Sequence, residues 1–427
     1  MDHHLFIGID RSDQSIDIHL LDSQGRFLRQ TAVLSAPESL AAWVDTVKEQ
    51  LPPGTTAALC IEQPCINLTT FFSQYPFLTL YLINPVTLKK YREAFTPSKA
   101  KDDKKDALHL AALVFEKHRA IRPWQPADPV TRKLQILTEK RRQLVDLRTS
   151  ITNRLTQLLK EYFPQALDLT GKTLHAPLAC DFLLKWPTLQ QLQKARPQTL
   201  TQFYILHCSR RPKVIEERLQ QIAAAIPLST DPVILETYAE LTAALAKQLA
   251  TLARSIKHFD HLIALTAADH PDAPIFRSLP GAGVNLSARL LAFFGTDRNR
   301  YSDPGSVQKH SGVAPVTKQS GKMHVVHRRY ACSKFWRQTF VEWAGQSVIK
   351  SLWAKAYYQQ QKTKGRRHQS VLRGLAYKWI RILYCCWQNR QPYDEQLYLN
   401  ALAKSSSPLI AIINELKKTH PKFCEQK

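Results

Sequence analysis

The stretch LFIGIDRSDQSIDIHLLDSQGRFLRQTAVL, residues 5–34, decides the fold of the first part of the chain. It contains three short runs rich in β-forming residues, at 5–10, 15–22 and 27–34, which are separated by polar turns, and Gly25 lies in the second turn. Apolar runs of this length between turn residues are typical of strands. The stretch therefore predicts a three-stranded meander with Asp10 at the end of its first strand.

The sequence downstream of the meander predicts alternating helices and strands. Ser35, followed three residues later by Glu38, has the spacing of a capping box and predicts the start of a helix. TAALCIEQ (56–63) and TLYLINP (79–85) predict a fourth and a fifth strand, and helices are expected at 67–75, 87–95 and 102–118. The resulting order βββαβαβα is that of the RNase H-like fold.

Four acidic residues are expected to converge in this fold. Asp10 ends the first strand, Glu62 ends the neighbouring fourth strand, and Asp103 and Asp106 lie three apart on one face of the last helix. Asp102 competes with Asp103, but only Asp103 is one helical step from Asp106. Clustered carboxylates repel each other unless a cation neutralises them, and oxygen ligands suit Mg²⁺ or Mn²⁺. For any single acid, a helix cap or a surface salt bridge is the alternative.

The charge of the chain points to a polyanionic partner. Its 59 Lys and Arg outnumber 35 Asp and Glu, which gives a net charge of +24, but residues 1–88 carry −5 and leave +29 for the rest. Such a distribution favours a nucleic-acid-binding surface downstream of an acidic centre, the alternative being a merely soluble basic protein.

With no signal-like or membrane-spanning segment and eight cysteines without a CxxC pair, we expect a cytoplasmic protein without zinc or disulfides.

Two long amphipathic helices are predicted in the middle of the chain. Apolar residues recur every seven positions in residues 131–163 and at steps of three and four in 232–258. Because both apolar stripes are narrow and the flanking faces are charged, we favour a coiled-coil dimer element, with packing of the two helices inside one chain as the alternative. Residues 165–230 between them are interrupted by prolines and receive no assigned role.

A third region begins with RSLPGAGVNLSARLLAFFG (277–295). The turn that contains Gly281 and Gly283 leads into an apolar helix and predicts a helix-hairpin-helix, in which backbone N–H groups at a helix start can bind a phosphate. Further on, Ser320 precedes Gly321 in a loop rich in Lys, Arg and His. A hydroxyl in a cationic loop is a candidate phosphate ligand, although a serine in such a place is by itself more often a turn residue.

Together these segments resemble the IS110/IS1111 family of transposases. The resemblance rests on GIDRSDQSIDI, ALCIEQ, INPVTLKKYREAF, SKAKDDKKDALHLA, LPGAGVNLSARLLAFFG and SGVAPVTKQSGK. It implies a RuvC-like domain with a DEDD tetrad, here Asp10, Glu62, Asp103 and Asp106, and a C-terminal domain whose catalytic serine matches Ser320. The chain departs from the family pattern in the Gln-Pro-Cys after Glu62, in Asp102 where Thr is usual, and in the His/Arg-rich run after the serine; an inactive remnant is the alternative.

The resemblance implies a DNA recombinase whose serine attacks a scissile phosphodiester while metal-bound acids assist. It also implies that acids and serine come from different subunits of a dimer or tetramer, and that a structured noncoding RNA guides the enzyme to donor and target double-stranded DNA. The basic runs 89–160 and 362–381 would then contact RNA and DNA. The candidate nucleic-acid contacts are Lys89, Lys90, Arg92, Lys101, Gly281, Gly283, Lys318, Lys322, Arg328, Arg329, Arg366 and Arg367.

These expectations define a domain plan. Residues 1–125 form the RuvC-like DEDD domain, 130–265 the paired long helices with an insert at about 165–230, 270–395 the C-terminal transposase domain, and 396–427 a tail. Two other functions remain open: a RuvC-type junction nuclease that uses water and does not need Ser320, and a non-catalytic nucleic-acid-binding protein that does not need Asp10.

Overall fold

The computed structural model describes residues 3–63, 66–95, 103–171, 173–207, 209–321 and 323–419, without the side chains of Ile66, Asp103 and Lys104. The chain divides into two compact units, residues 1–127 and 128–427. In the part of the chain that the structure describes, no helix has the length and hydropathy needed to cross a membrane.

The first unit is a mixed five-stranded sheet with helices, as predicted. Its elements are β1 Leu5–Arg11, β2 Ser15–Leu21, β3 Phe27–Leu34, α1 Pro37–Glu49, β4 Ala57–Glu62, α2 Ile66–Phe72, β5 Leu78–Ile83, α3 Pro85–Phe95 and α4 Asp103–Lys117. The strand order is β3-β2-β1-β4-β5. The meander pairs antiparallel, whereas β1, β4 and β5 pair parallel. The inner strands β1 and β4 are buried almost throughout and β3 is mostly exposed, as expected of a sheet edge.

The two faces of this sheet carry separate apolar cores. Leu5, Ile7 and Ile9 of β1 pack towards α1 and α2, with Trp43 and Phe72 in the same core. The residues of opposite parity face the other way: Phe6 of β1, with Ala58 and Cys60 of β4, packs against Leu110 and Ala111 of α4. Because side chains alternate along a strand, this parity determines which face each later residue of β1 and β4 points to.

The start of α1 corrects one prediction. Its N-cap is Ala36, with no side-chain cap, and not Ser35; the Ser35 hydroxyl is buried without a hydrogen-bond partner. Pro37 occupies the first helical position, where its fixed φ and missing N–H are well tolerated. The proline therefore sets the helix start one residue later than the capping-box spacing with Glu38 predicts.

The second unit is almost entirely helical. Its helices are α5 Pro129–Tyr162, α6 Gln165–Leu169, α7 Pro177–Lys185, α8 Leu189–Gln193, α9 Pro197–Leu206, α10 Pro212–Ala224, α11 Pro232–Ala268, α12 Ala273–Arg277, α13 Gly283–Phe294, α14 Pro304–His310, α15 Lys334–Lys350, α16 Leu352–Thr363, α17 His368–Gln388, α18 Glu395–Lys404 and α19 Leu409–Thr419. A hairpin of β6 Val316–Ser320 and β7 Met323–His327 interrupts them. The long helices α5 and α11 pack against each other within the chain. A dimer formed through these helices stays a prediction.

The described residues of 165–230, a segment that the sequence left without a role, form a small helical core at one end of the long pair. Phe182, Trp186 and Tyr204 are buried there together with Leu159 of α5 and Leu249 of α11. The short helices α6 to α10 thus cover the apolar stripe of the long helices where those helices would otherwise be exposed. This packing explains how a stretch so rich in proline is ordered.

Four buried tryptophans organise the C-terminal core. Each indole donates its N–H: Trp343 to Pro280 O (3.2 Å), Trp353 to Tyr393 Oη (3.0 Å), Trp379 to Ser347 Oγ (2.8 Å) and Trp387 to Gly295 O (2.8 Å). Buried polar groups without partners would be costly, so these bonds fix how the helices pack. Residues from α18 and α19, among them Leu399, Leu409 and Ile413, are buried in the same core.

Candidate functional site

Two of the predicted acids lie side by side at the ends of neighbouring parallel strands. The register pairs Ile9 of β1 with Ile61 of β4, so that Asp10 and Glu62 each follow one residue later. Both have the parity of Phe6 and therefore face α4. Each is half-buried.

Helix α4 brings Asp106 to the same face. A Cβ atom at Gly8 would lie 2.0 Å from Ala107 O and 2.4 Å from Ala111 N, so the helix backbone packs directly on β1. Asp106 immediately precedes this contact and is only 4% exposed. Asp103 begins the helix one turn earlier, and its side chain lies outside the described residues.

Asp106 is held by an arginine of α3. The Arg92 Nη1 atom donates to Oδ1 and to Oδ2 of Asp106, both at 2.9 Å. The side chains are 17% and 5% exposed, respectively. The sequence predicts Arg92 as a nucleic-acid contact; in the structure its guanidinium binds the carboxylate of a predicted metal ligand.

A further carboxylate, missed by the sequence reasoning, lies opposite Asp10. The β1–β2 register pairs Asp10 with Asp17, which places both side chains on the same face of the sheet. The alternation in SIDIHLL, with Ile16 and Ile18 buried on the other face, could have identified Asp17. Asp17 is half-buried.

His109 was also missed and lies one helical turn after Asp106. It is 6% exposed, its Nε2 atom has no hydrogen-bond partner, and Tyr91 and Phe95 of α3 contact its ring. Burial lowers the pKa of His109, and the charges of Arg92 and Lys105 act in the same direction, although Asp106 opposes them. A neutral imidazole next to Asp106 adds no further charge to the acidic face.

These residues offer a divalent cation the right type of donor atom on one face of the sheet. Asp10, Glu62 and Asp106 supply only oxygen donors, which hard cations such as Mg²⁺ and Mn²⁺ prefer, and all three belong to the face between β1, β4 and α4. Among the residues that the structure describes, no three His, Cys, Asp or Glu side chains are gathered closely enough to hold a metal. The Asp106 carboxylate is paired with Arg92 instead.

The predicted serine lies at the tip of the β6–β7 hairpin, whereas the sequence predicts a loop there. Ser320 pairs with Met323, Gly321 follows with a φ of +52°, and both strands are exposed over most of their length. Lys318 lies two residues before Ser320 and shares its face, while His324 pairs with Gln319 on the opposite face. The Ser320 hydroxyl is therefore accessible, with one described lysine on its side of the ribbon.

The two arginines that follow the hairpin, Arg328 and Arg329, make different contacts. The Arg329 Nε atom donates to Ala314 O at 3.2 Å, and the Arg329 carbonyl accepts from Arg337 at 2.9 Å, so Arg329 links the end of the hairpin to the helical core. Arg328 lies over the Tyr330 ring, 5.8 Å from its centroid. Lys322, like Lys101 in the first unit, lies outside the described residues.

The two glycines of the 280–283 turn have different surroundings. Gly281, with a φ of +73°, packs against α15: a Cβ atom there would lie 2.6 Å from Gln346 O. Gly283, with a φ of +55°, has no neighbour within 4 Å and begins α13. Close packing against α15 thus explains why position 281 is a glycine, whereas the backbone at Gly283 is accessible to a ligand. Because α12 has only five residues, a helix-hairpin-helix stays a prediction.

Other predicted contacts lie on exposed helix surfaces. Lys89 and Lys90 are exposed on α3, and Lys89 is 3.9 Å from Glu93. Arg366 and Arg367 belong to a continuous exposed segment, residues 362–370, which runs from the end of α16 to the first turn of α17. These side chains are accessible to a polyanion.

Comparison with known proteins identifies the family. A family model of the IS110 DEDD domain, described as "Transposase", matches residues 7–164. A second model, described as "Transposase IS116/IS110/IS902 family", matches residues 273–359. The predicted acids fall in the first region and Ser320 falls in the second.

Curated relatives cover nearly the whole chain. The "Mini-circle putative transposase for IS117" of Streptomyces coelicolor is 27% identical over 92% of this chain and 96% of its own length. The IS116 insertion-element protein of Streptomyces clavuligerus is 24% identical over 91% of this chain and 95% of its own length. With both family models in order along it and relatives aligned over nearly its full length, the chain belongs to the IS110 family of insertion-sequence transposases.

Proposed function

We propose that this transposase cuts and rejoins DNA through a phosphoserine intermediate on Ser320, assisted by a divalent cation at Asp10, Glu62, Asp103 and Asp106. One observation carries the proposal: the ends of β1 and β4 and the first turn of α4 bring Asp10, Glu62 and Asp106 to a single face of the sheet. An all-oxygen acidic face in so basic a chain suits phosphoryl transfer on a polyanion.

The serine chemistry conserves the phosphodiester bond energy. The Ser320 Oγ atom attacks the scissile phosphorus, an Oγ–P bond forms, and the P–O bond to the leaving strand breaks as its oxygen takes up a proton. Attack by a strand hydroxyl then restores the free serine and a new phosphodiester, without ATP. Lys318, on the same face of the hairpin, supplies positive charge next to the reacting phosphate.

The acids would activate the serine hydroxyl, for which the described hairpin residues offer no carboxylate base. The described part of the hairpin, 316–321 and 323–327, contains no carboxylate that could act as a base. A divalent cation held by the acids would lower the pKa of a reacting hydroxyl and stabilise negative charge on the leaving oxygen. In this proposal the acids and Ser320 come from different subunits of a homo-oligomer.

The proposed partners are polyanions. Donor and target double-stranded DNA are the substrates, and a structured noncoding RNA directs the enzyme to them by base pairing. The exposed run 362–370, with Arg366 and Arg367, and the exposed Lys89 and Lys90 of α3 support backbone contacts. Backbone contacts of this kind would bind many sequences and leave sequence choice to the RNA.

Hydrolysis is the second candidate function. The first unit is compact by itself and carries all four acids, so a water molecule could replace the serine as nucleophile in a RuvC-type nuclease. Such an enzyme would nick DNA without Ser320 and would leave no covalent adduct.

The test is denaturing capture of the protein from cells carrying its element, followed by nuclease digestion and mass spectrometry. We expect a nucleotide adduct on the Ser320 peptide that disappears in Ser320→Ala and in Asp10→Asn. Thr317→Ala is the matched control, because it removes a hydroxyl from the opposite face of the same strand. Metal-dependent nicking by Ser320→Ala without any adduct would favour hydrolysis, and activity of Asp10→Asn equal to wild type would contradict both reactions.

A further inference from the structure

The ion pair between Arg92 and Asp106 joins two helices of the acidic face. Both Asp106 oxygens accept from the same Arg92 Nη1 atom, and both side chains are largely buried. A buried carboxylate needs a counter-cation, because leaving it ionised and unpaired is strongly unfavourable. In this structure the guanidinium is that cation.

A divalent cation at the acidic face would need the same oxygens. A carboxylate has lone pairs to spare, so contact with both cations is sterically possible. However, a guanidinium and a divalent cation on one buried carboxylate repel each other, and the repulsion is strong where water is largely excluded. The two cations are therefore antagonists at Asp106.

Helix α3, which carries Arg92, has few other attachments besides the contacts of its Tyr91 and Phe95 rings with His109 of α4. Leu88 is its only buried side chain among the described residues of the helix, and Phe95 is 62% exposed. The Tyr91 hydroxyl donates to Glu116 of α4 at 3.0 Å. The Arg92–Asp106 pair is thus one of few contacts that fasten α3 to α4, and its loss would loosen a helix that also carries Lys89 and Lys90.

We propose that Arg92 and the divalent cation compete for Asp106, so that cation binding releases Arg92 and loosens α3. The inference rests on the metal site of the proposed function. Without metal, Arg92 neutralises the charge of the buried Asp106 carboxylate, and this pairing lowers the affinity of the site for the divalent cation. The released guanidinium, together with Lys89 and Lys90, would then be available to a phosphodiester backbone.

The test is calorimetric titration of the full-length protein with Mn²⁺. We expect Arg92→Gln, which removes the competing charge, to bind Mn²⁺ about tenfold more tightly than wild type. Arg92→Lys keeps the charge and should remain within roughly twofold of wild type. The matched control Lys90→Gln removes an exposed charge from the same helix, and its Mn²⁺ affinity should also stay within about twofold, because exposed charges are screened.

A second readout follows the helix itself. Mn²⁺ should increase amide hydrogen exchange within residues 85–95 of the wild type, whereas in Arg92→Gln exchange there should already be fast without metal. Circular dichroism of each variant without metal establishes that it is folded.

Several results would overturn the proposal. Weaker Mn²⁺ binding by Arg92→Gln would make Arg92 a residue that positions Asp106 for the metal, and equal binding would make the pair a purely structural contact. If wild type binds no Mn²⁺, or if Asp10→Asn binds it as tightly as wild type, the proposed metal site is contradicted together with the competition. Mn²⁺ binding lost in Asp10→Asn but unchanged in Arg92→Gln would leave the proposed function standing and reject only the competition.

Discussion

Gly8 of β1 and Ala107 of α4 touch backbone to backbone: a Cβ atom at position 8 would lie 2.0 Å from the Ala107 carbonyl oxygen. No side chain of an L-residue can enter such a gap. The distance from the sheet to the helix that carries Asp106 is therefore set by the absence of one methyl group.

We predict that Gly8→Ala destabilises the first unit by about 3 kcal/mol, since the added methyl group must push α4 away from β1. The measurement is urea unfolding of the purified protein. Gly345→Ala is the control, because its new Cβ would meet only Leu372 Cδ1, at an ordinary 3.5 Å, inside helix α15. Equal stability of Gly8→Ala and wild type would contradict the close contact.

Loss of either strand acid should abolish recombination. We expect Asp10→Asn and Glu62→Gln each to lower the recombination rate by about three orders of magnitude, because several kcal/mol of charge stabilisation in the transition state is lost. A plasmid recombination assay measures the effect, and filter binding checks that DNA affinity is kept. Asp45→Asn, an exposed acid of α1, should behave as wild type; a similar loss in that variant would point to a general charge effect.

Stability should depend on pH through His270. Its Nδ1 accepts from the backbone N–H of Asp272 at 3.1 Å and its Nε2 lies 3.0 Å from Thr131 Oγ1, an arrangement that requires a neutral ring. Burial lowers the pKa of His270 below the ordinary histidine value of 6.5, and the charge of Arg298 lowers it further, whereas Asp128 and Asp272 oppose this shift. The unfolded chain therefore binds the proton first, and stability falls as the pH drops below 6.5.

Melting temperatures between about pH 7.5 and pH 5.5 check this dependence. We expect His270→Gln to lose less stability on acidification than wild type, although it starts from a lower melting temperature. Replacement of the exposed His258 by Gln should leave the slope unchanged. Parallel slopes for His270→Gln and wild type would show that this ring does not titrate in the unfolding equilibrium.

Glu342 connects three elements of the second unit. Its carboxylate accepts from Arg289 at 2.7 Å, from Arg142 at 3.3 Å and from Gln338 at 2.6 Å, and the Arg289 side chain is only 8% exposed. We predict that Glu342→Gln lowers the free energy of unfolding by about 2 kcal/mol, because it leaves the buried Arg289 guanidinium without its counter-ion. The loss stays moderate because Glu342 itself is partly solvated.

Thermal unfolding of the full-length protein measures the loss, with Asp146→Asn as the control. Asp146 pairs with Arg142 but is 58% exposed, so that variant should lose less than about 1 kcal/mol. Equal losses in the two variants would mean that burial of Arg289 does not set the cost.

The sequence predicted those parts of the fold that depend on local periodicity. All five strands of the first unit and the three helices after β4 lie within a few residues of their expected positions, because runs of apolar residues and turn residues are local signals. The position of Glu62 beside Asp10 follows from strand order alone. The same reasoning missed Asp17, because the register of β2 was not followed residue by residue.

Other features depend on contacts between residues far apart in the chain. The pairing of Arg92 with Asp106 links two helices, and no periodicity signals it. The two strands of the hairpin around Ser320 lack the buried apolar residues that make a strand recognisable. The helices of 165–230 are too short for a clear 3.6-residue period, and tertiary packing on α5 and α11 orders them.

The exposed ribbon that carries Ser320 has a consequence for how such a protein can diverge. The described residues of β6 and β7 contribute no buried side chain, so substitutions and changes of length there remove nothing from the folded core. The buried side chains that stabilise the C-terminal core belong to the tryptophan-rich helices and not to the ribbon. Sequence changes around Ser320 could therefore accumulate while the rest of the molecule keeps its stability.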